Sequence, residues 1–553
     1  SNVNIKGDYF KVETTRAGNK SIHMKSAGGM TTDLTGDLIE TIGGDLTNTI
    51  GGNILTNISG SLNKTVTGIS KETYKNNRDL VISGSYTELI TGDVLVTYNN
   101  TRDLLISGNN TELYDNNRVV RISGNLNETI SGTRKILVKN SSTEVYDSHR
   151  NVKVSGNLTT IISGMKNKTV YENVTETYGS NRTIKISGHL TETISGLQDI
   201  VIHQNRNITV KLDNSETYFD NRTILVSGDL NETISGTNNF TVENASTETF
   251  KNNRTITIGG NLVETITGTK THIITGNNTE TVKGSKTTMI TGDLTETIKQ
   301  NNYLDVGGHS TEIYRINRTL QTDGHLKETI GGGSSLLIKG NHNEDCHGFR
   351  TLKVSGHFTE TVTGRHNITV MNVSQETYKG HRTIIISGNF KETISGSATI
   401  QFLNNCNLTV SGENKETYKL NRNILVSGHL IETISGSRTL IVTGDNNEIY
   451  KNKRIILISG DCTETISGFR KLHINGNNIE TTKNTKTIHI EGELIETIKN
   501  SSTTTISGTR ILITNGNNTE TYKSDRKITV GGSLTETITG NNTILINGTN
   551  NVT

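Results

Sequence analysis

The sequence predicts an all-β fold, a β-solenoid prism assembled from short stacked strands. Three observations predict it: an eight-residue repeat of unbroken phase, a two-residue alternation inside each repeat, and a composition with 56 Gly, no Pro and 30% hydrophobic residues in 553. Ordinary globular domains carry about 45 to 50% apolar residues, so the core must be thin. Disordered chains usually combine high net charge with abundant Pro, whereas this chain has 56 basic and 54 acidic residues.

Net charge and cysteine content exclude several classes of protein. A formal net charge of +2 favours neither a nucleic-acid nor a membrane-surface partner. Three cysteines are too few for a disulfide framework, and no run of 18 apolar residues is present to span a bilayer. The chain begins at Ser1 without Met or a signal peptide, so we expect a processed or trimmed piece of a longer product.

The repeat begins at Thr35 and defines the predicted organisation. Sixty-four octads run from Thr35 to Ile546, and position 8 is Ile, Val, Tyr or Phe in 60 of them. The four exceptions at position 8 are Thr322, Cys346, Thr482 and Thr514. Residues 1–34 are therefore a junction segment that leads into the shaft, residues 35–546 are the octapeptide-repeat shaft, and residues 547–553 are a C-terminal partial repeat.

Each octad reads as one strand and one corner. In the segment from Thr183 to Ile186, Ile184 and Ile186 fall on one parity and Thr183 and Lys185 on the other, which is typical of a strand with one wet face. Gly188, just after that strand, is expected to supply the positive φ of a sharp corner. The absence of Pro leaves every backbone N–H free to join a ladder.

Charged residues alternate above the octad. Octads with Glu at position 6 tend to be followed by octads with a basic residue at position 4, which gives a 16-residue motif. Because ETY alternates with ETI, a 32-residue motif lies above it. Examples of the charged pair are Glu176 with Arg182, Glu216 with Arg222, and Glu248 with Arg254. Stacked strands lie about 4.8 Å apart, so we predict inter-layer ion pairs near the strand edges. The alternative is that these side chains extend past the corner into water.

Octad spacing alone permits one chain coiling by itself or three chains winding together. The pattern at Ile194-Ser195-Gly196 and Ile234-Ser235-Gly236 resembles the octapeptide repeat of the cell-puncturing needle of contractile-tailed phages and the valine-glycine repeat spikes of type VI secretion systems. The opening segment from Arg16 to Gly29 is similar to the junction where such spikes enter the needle. This resemblance implies an intertwined triple-stranded β-helix, a homotrimer.

Energetics favour the trimer independently. Ordering eight residues costs on the order of 12 kcal/mol, while two or three buried aliphatic side chains return roughly 1.5 to 3 kcal/mol each. An isolated octad is therefore unstable. Intertwining gives every strand neighbours above and below, so strand edges remain only at the two ends.

No pattern of residues indicates catalysis or a cofactor, and the prediction is that the protein is not an enzyme. Glu recurs at one octad position along the shaft, which indicates a structural slot. The irregular cluster from Asn341 to His347 holds several possible metal ligands, but Cys346, Cys406 and Cys462 sit at inward positions and are expected to pack as small hydrophobic residues. Position 3, an exposed turn by expectation, holds a further set: His189, His325, His357 and His429.

The predicted function is mechanical: a spike or needle of a virus particle or phage-type injection machine that contacts or punctures the host envelope. Expected partners are two further copies of the chain, a base or vertex protein at one end, a tip cap at the other, and the host envelope, without nucleic acid. The expected location is the virion surface or an extracellular injection apparatus. Three alternatives remain open: a passive fibre or adhesin stalk, a type VI secretion spike carrying a tip or effector, and a polysaccharide-degrading tailspike.

Overall fold

The computed structural model describes residues 2–5, 10–14, 20–26 and 30–553, with side chains from residue 32 onwards. Every regular element in those ranges is a β-strand, as the sequence predicts. The described residues include no helix of the length and apolarity needed to cross a membrane.

Strand bounds follow the octad. Four strands precede the regular repeat: β1 (Asn2–Ile5), β2 (Phe10–Thr14), β3 (Lys20–Ser26) and β4 (Met30–Leu34). From β5 (Leu38–Ile42) to β68 (Asn542–Ile546), every strand has five residues and begins eight residues after the one before it. The last strand is β69 (Asn550–Val552). Positions 4 to 8 of each octad are therefore strand, and positions 1 to 3 form the corner.

The chain divides into two compact units, Ser1–Gly276 and Asn277–Thr553. Within each unit a shaft strand pairs in parallel with the third strand after it, so residue i lies beside residue i+24; β19 (Arg150–Val154) with β22 (Val174–Tyr178), and β43 (His342–Cys346) with β46 (His366–Val370), are examples. Three consecutive octads close one three-sided coil. Counted over the described residues of both units, the parallel β-solenoid has about 22 turns.

The first strands pair differently from the shaft. β1 is antiparallel to β4, and β2 is antiparallel to β3, whereas β3 with β6 (Leu46–Ile50) and β4 with β7 (Ile54–Ile58) already pair in parallel. The predicted junction from Arg16 to Gly29 is described only over residues 20–26, and its remaining residues lie outside the described ranges.

Side chains at positions 4, 6 and 8 point inward. The burial pattern of β23 (Arg182–Ile186) alternates between buried and more exposed residues, and Ile186 is 1% exposed. The four exceptions at position 8 keep the inward direction, because Thr322, Cys346, Thr482 and Thr514 are all buried. Tyr74, Tyr178 and Tyr218 fill core slots, as predicted.

The expected reason for the corner glycine is wrong. Gly188 does not adopt a left-handed φ; instead, a Cβ at this residue would lie 2.6 Å from the carbonyl carbon and oxygen of Gly164 in the coil before it. Successive corners stack too closely for a side chain. The same closeness extends the backbone ladder through the corner, since Gly188 N–H donates to the Gly164 carbonyl at 3.1 Å.

The described chain supplies its own neighbouring strand, 24 residues away. Three braided chains would also place their octads on three faces. Each layer would contain three octads, one from each chain in a braid and all from one chain in a single coil. The braid differs in connectivity, because each chain would rise one full layer per octad instead of one layer per three octads.

Candidate functional site

The interior of the prism is ionic as well as apolar. Glu176 and Arg182 are 1% and 6% exposed, so the alternative that these side chains extend into water is wrong. Arg150, one coil before Glu176 on the same face, forms an ion pair with it, and Arg182 on the following octad lies 3.6 Å from its other oxygen. The predicted inter-layer ion pairs are confirmed, and they lie inside the prism rather than near its edges.

The inter-layer contact recurs between residues 26 apart. It joins these arginine–glutamate pairs: Arg102–Glu128, Arg118–Glu144, Arg150–Glu176, Arg222–Glu248, Arg350–Glu376, Arg422–Glu448, Arg438–Glu464, Arg454–Glu480 and Arg510–Glu536. Of the predicted examples, Arg222 forms its ion pair with Glu248. Arg254 is buried, and its charge helps to hold the pKa of Glu248 low against burial, together with the larger contribution of Arg222.

Tyrosine completes the buried unit. Tyr178 Oη donates to Glu176 Oε2 at 2.7 Å, and the Arg182 guanidinium lies 5.5 Å from the Tyr178 ring centroid. Tyr218 with Glu216 at 2.6 Å and Tyr378 with Glu376 at 2.8 Å repeat the hydrogen bond. The sequence carries this unit as the pattern Glu-x-Tyr-x-x-x-Arg, although position 8 by itself predicts only a core residue for the tyrosine.

The Asn341–His347 cluster is divided by strand parity. His342, Glu344 and Cys346 point inward, while Asn341, Asp345 and His347 are exposed. Cys346 Sγ lies 3.6 Å from backbone carbonyl oxygens, including that of Gly348. The other two thiols, Cys406 and Cys462, are also buried, and burial raises the pKa of Cys462 to about 11. The three cysteines occupy core slots as predicted.

A convergent group of donors forms around His342. His342 Nδ1 lies 3.1 Å from Glu360 Oε1, and His366 Nδ1 lies 3.6 Å from the same oxygen. The two imidazoles stack, with centroids 4.5 Å apart and planes at 14°, because β43 and β46 pair with these residues side by side. All three side chains are buried, and their donor atoms lie within 4.8 Å of one another.

The two histidines differ in how their ring nitrogens are used. His342 is placed between partners, with Arg318 Nη1 2.8 Å from its Nε2 and Glu360 on the Nδ1 side. His366 is 1% exposed, and within residues 32–553 neither of its ring nitrogens has a hydrogen-bond partner. The irregular local sequence singles out His342 but gives no signal for Glu360 and His366, which lie two and three octads further along the chain.

Electrostatics set the protonation of this group. Burial raises the pKa of Glu360, but His366 and His342 outweigh it and lower that pKa to about 2. Burial lowers the pKa of His366 to about 4, despite the opposing charge of Glu360. At neutral pH these shifts favour a carboxylate at Glu360 and an uncharged ring at His366.

Open space adjoins the group inside the second unit. A cavity of about 120 Å³ is lined by His342, Glu360 and His366, together with Glu328, Ser334 and Leu304 among others. A volume of that size holds several water molecules. The donors are therefore next to solvent-sized space while remaining shielded from bulk water.

The position 3 histidines have a structural use at the corners. Nδ1 of His189, His325, His357 and His429 each accepts a backbone N–H from the coil that follows, at 2.9 Å for Phe349 N and 3.0 Å for His381 N. Asn and Asp do the same at other corners, as where Leu197 N donates to Asn173 Oδ1 at 2.8 Å. These histidines lie at exposed or half-buried turns.

Comparison with known proteins identifies one family. Residues 237–314 match the bacteriophage T4 gp5 C-terminal trimerisation domain. The resemblance to trimeric phage needles is thereby confirmed, and it supports self-association into homotrimers and a virion-associated phage spike. No curated protein matches the chain, and no solved structure does.

Proposed function

We propose that this chain is the shaft of a homotrimeric spike on a virus particle or phage-type injection machine, and that it contacts or punctures the host envelope mechanically. The observation that carries the proposal is the match of residues 237–314 to a phage needle trimerisation domain, inside a repeat that keeps one phase from Thr35 to Ile546. The role needs no catalysis. Its partners are two further copies, a base or vertex protein, a tip cap and the host envelope.

Stiffness follows from the backbone ladder. Ladder hydrogen bonds continue from strand to corner, and buried ion pairs link successive layers. A one-octad slip would place like charges side by side, so the ion pairs fix the register more than they add stability. A shaft of this kind transmits force along its axis without a wide cross-section.

We further propose that the three chains braid about one axis. A braid is favoured because each octad has a thin core that the other two chains would shelter from water. Two double-cysteine variants test this path. Thr183 lies beside Asn207 in the coil of one chain, whereas in a braid Thr183 would lie beside residue 191 of another chain. Cysteines at neighbouring positions on adjacent strands fall within disulfide range.

Thr183→Cys with Thr191→Cys is therefore expected to give disulfide-linked trimers on non-reducing gels. Thr183→Cys with Asn207→Cys should then stay unlinked or link less completely. Rapid intrachain bridging in the second variant, with none between chains in the first, would contradict the braid. The three native thiols are buried, and a parent lacking them provides the control.

The mechanical role is tested on the purified trimer. Light scattering is expected to give the mass of three chains, and electron microscopy to show a threefold spike on the particle that carries it. A stable folded single copy would contradict the trimer. Release of sugars from host surface glycans would establish a tailspike, and binding of a receptor by the shaft itself would establish an adhesin.

A further inference from the structure

His366 is a buried polar side chain whose ring nitrogens have no hydrogen-bond partner among residues 32–553, although Glu360 Oε1 lies 3.6 Å from Nδ1. Leaving a buried donor or acceptor unpaired costs about 1 to 3 kcal/mol, and position 4 holds Leu in many other octads, such as Leu190 and Leu326. Within the described side chains the ring stacks on His342 and contacts Phe390. Neither contact satisfies its two nitrogens, so the slot is suited to a ligand that a nitrogen lone pair can bind.

The donors around His366 have the spacing of metal ligands. Zinc binds histidine nitrogen and carboxylate oxygen at about 2.0 to 2.2 Å, which in a tetrahedral site places ligand atoms about 3.3 Å apart. Glu360 Oε1 lies 3.1 Å from His342 Nδ1 and 3.6 Å from His366 Nδ1. Small rotations of the three side chains would bring all of them onto one ion.

Neighbouring cations have carboxylate partners of their own. Arg350 pairs with both Glu344 and Glu376, and Arg382 lies 3.9 Å from Glu376. Pairing of Arg350 and Arg382 with carboxylates weakens their repulsion of a divalent cation. Arg318 Nη1 lies 2.8 Å from His342 Nε2, the nitrogen that faces away from Glu360. Binding of an ion at Nδ1 would place the ring proton on Nε2 and break this contact with Arg318.

We propose that Glu360 and His366 bind a divalent transition-metal ion inside the shaft, with His342 as the third ligand where successive coils of one chain stack. Two imidazoles and one carboxylate suit Zn²⁺ and its neighbours rather than Ca²⁺ or Mg²⁺, which prefer oxygen. Water from the adjoining cavity supplies the remaining position. The ion would fasten two successive coils to one another, as a structural metal does.

The distances that define the site belong to the single coil. Glu360 and His366 belong to consecutive octads, which differ in height by a third of a layer in a single coil and by one full layer in a braid. His342 and His366 lie three octads apart and meet only in a single coil. The His342 arm of the experiment therefore tests the third ligand separately from the site itself.

The test is titration of the full chain, dialysed against chelator, with Zn²⁺ by calorimetry and with Co²⁺ by visible absorption. We expect saturable binding that Glu360→Gln and His366→Ala each weaken at least about tenfold, and that His357→Ala at an exposed corner leaves unchanged. Loss in His342→Ala would support the third ligand, and unchanged binding there would overturn that role.

Absence of saturable binding to the unaltered chain would overturn the proposal, as would binding that is indifferent to Glu360→Gln and His366→Ala. Folding of each variant is checked by circular dichroism and elution volume without metal. His366→Gln provides a second variant that keeps a neutral polar side chain, and it should also lose the rise in melting temperature that Zn²⁺ gives the unaltered chain.

Discussion

Glu128 in the first unit and Glu328 in the second occupy the same octad position, but their pKa values are shifted in opposite directions. Arg134 and Arg102 each bring a nitrogen within 2.5 Å of Glu128, which outweighs burial and lowers its pKa to about 2. Burial raises the pKa of Glu328 to about 7, with Arg318 offsetting it only in part and Glu344 adding to it.

The difference comes from two slots around each carboxylate. The residues six after and 26 before Glu128 are Arg134 and Arg102; the corresponding residues for Glu328 are Ser334 and Asn302. Among residues 32–553, Glu328 forms no ion pair within 4.0 Å. The same octad position therefore lowers the pKa of a carboxyl group at one place and raises it at another, and the residues at position 4 of the neighbouring octads decide which.

The largest expected effect comes from removing one of the two arginines that form ion pairs with Glu128. Arg134→Ser removes one of two cations from a buried carboxylate, which costs about 3 kcal/mol because an under-compensated charge remains in the interior. Hydrogen exchange of the amides of β16 (Leu126–Ile130) measures that loss locally. Lys135→Ser, at an exposed neighbouring position, is the matched control, and equal protection in the two variants would contradict the argument.

A second test removes the charge at the other site. The folded-state pKa of Glu328, about 7, exceeds the unfolded value of about 4.3, so the folded chain holds a proton that the unfolded chain releases between them. Stability then falls as pH rises through that window. Glu328→Gln should lack this fall and be more stable at pH 8 by up to about 2 kcal/mol.

Urea midpoints at pH 5 and pH 8 measure this dependence. Lys327→Gln, exposed and adjacent, controls for the change in surface charge. If the urea midpoint changed by the same amount between pH 5 and pH 8 in Glu328→Gln and in the unaltered chain, the prediction would be contradicted.

A third test gives Glu328 an arginine at the position that Arg134 occupies beside Glu128. Ser334→Arg places a guanidinium at the slot that Arg134 fills, and Ser334 and Glu328 line the same cavity, so space is available. The pKa of Glu328 should fall below its unfolded value, and stability should then be lost as pH falls instead of as pH rises. The expected gain at pH 8 is about 1 kcal/mol. Ser335→Arg, on the exposed face, should keep the original dependence.

The sequence was sufficient for the strands, the inward positions and the charge alternation. The ion pair between Glu128 and Arg134, six residues apart, can be predicted directly from the repeat. The ion pair between Arg102 and Glu128, 26 residues apart, can be predicted only if it is known that three octads close a coil, and an eight-residue period does not show that. For the same reason His342 stood out locally, while its neighbours Glu360 and His366 did not.

Two other features escaped prediction for different reasons. A left-handed turn is the usual reason for a glycine at a corner, but at Gly188 the close contact with Gly164 in the previous coil is what requires it. The role of the Tyr178 hydroxyl is not visible in the sequence, because the ring alone satisfies the pattern of apolar residues at position 8. Both errors arise from contacts between coils rather than from local conformation.

The smallest expected effect tests that hydroxyl. Tyr178→Phe removes the hydrogen bond to Glu176 while keeping the ring in its slot, so the packing against Arg182 survives. Glu176 retains Arg150, Lys168 and Arg182, which limits the cost to about 0.5 to 1 kcal/mol. Hydrogen exchange of β22 measures it. Tyr171→Phe, at a corner where the ring is 56% exposed, should change nothing, and an equal loss in both variants would show that the Tyr178 hydroxyl does not stabilise the interior.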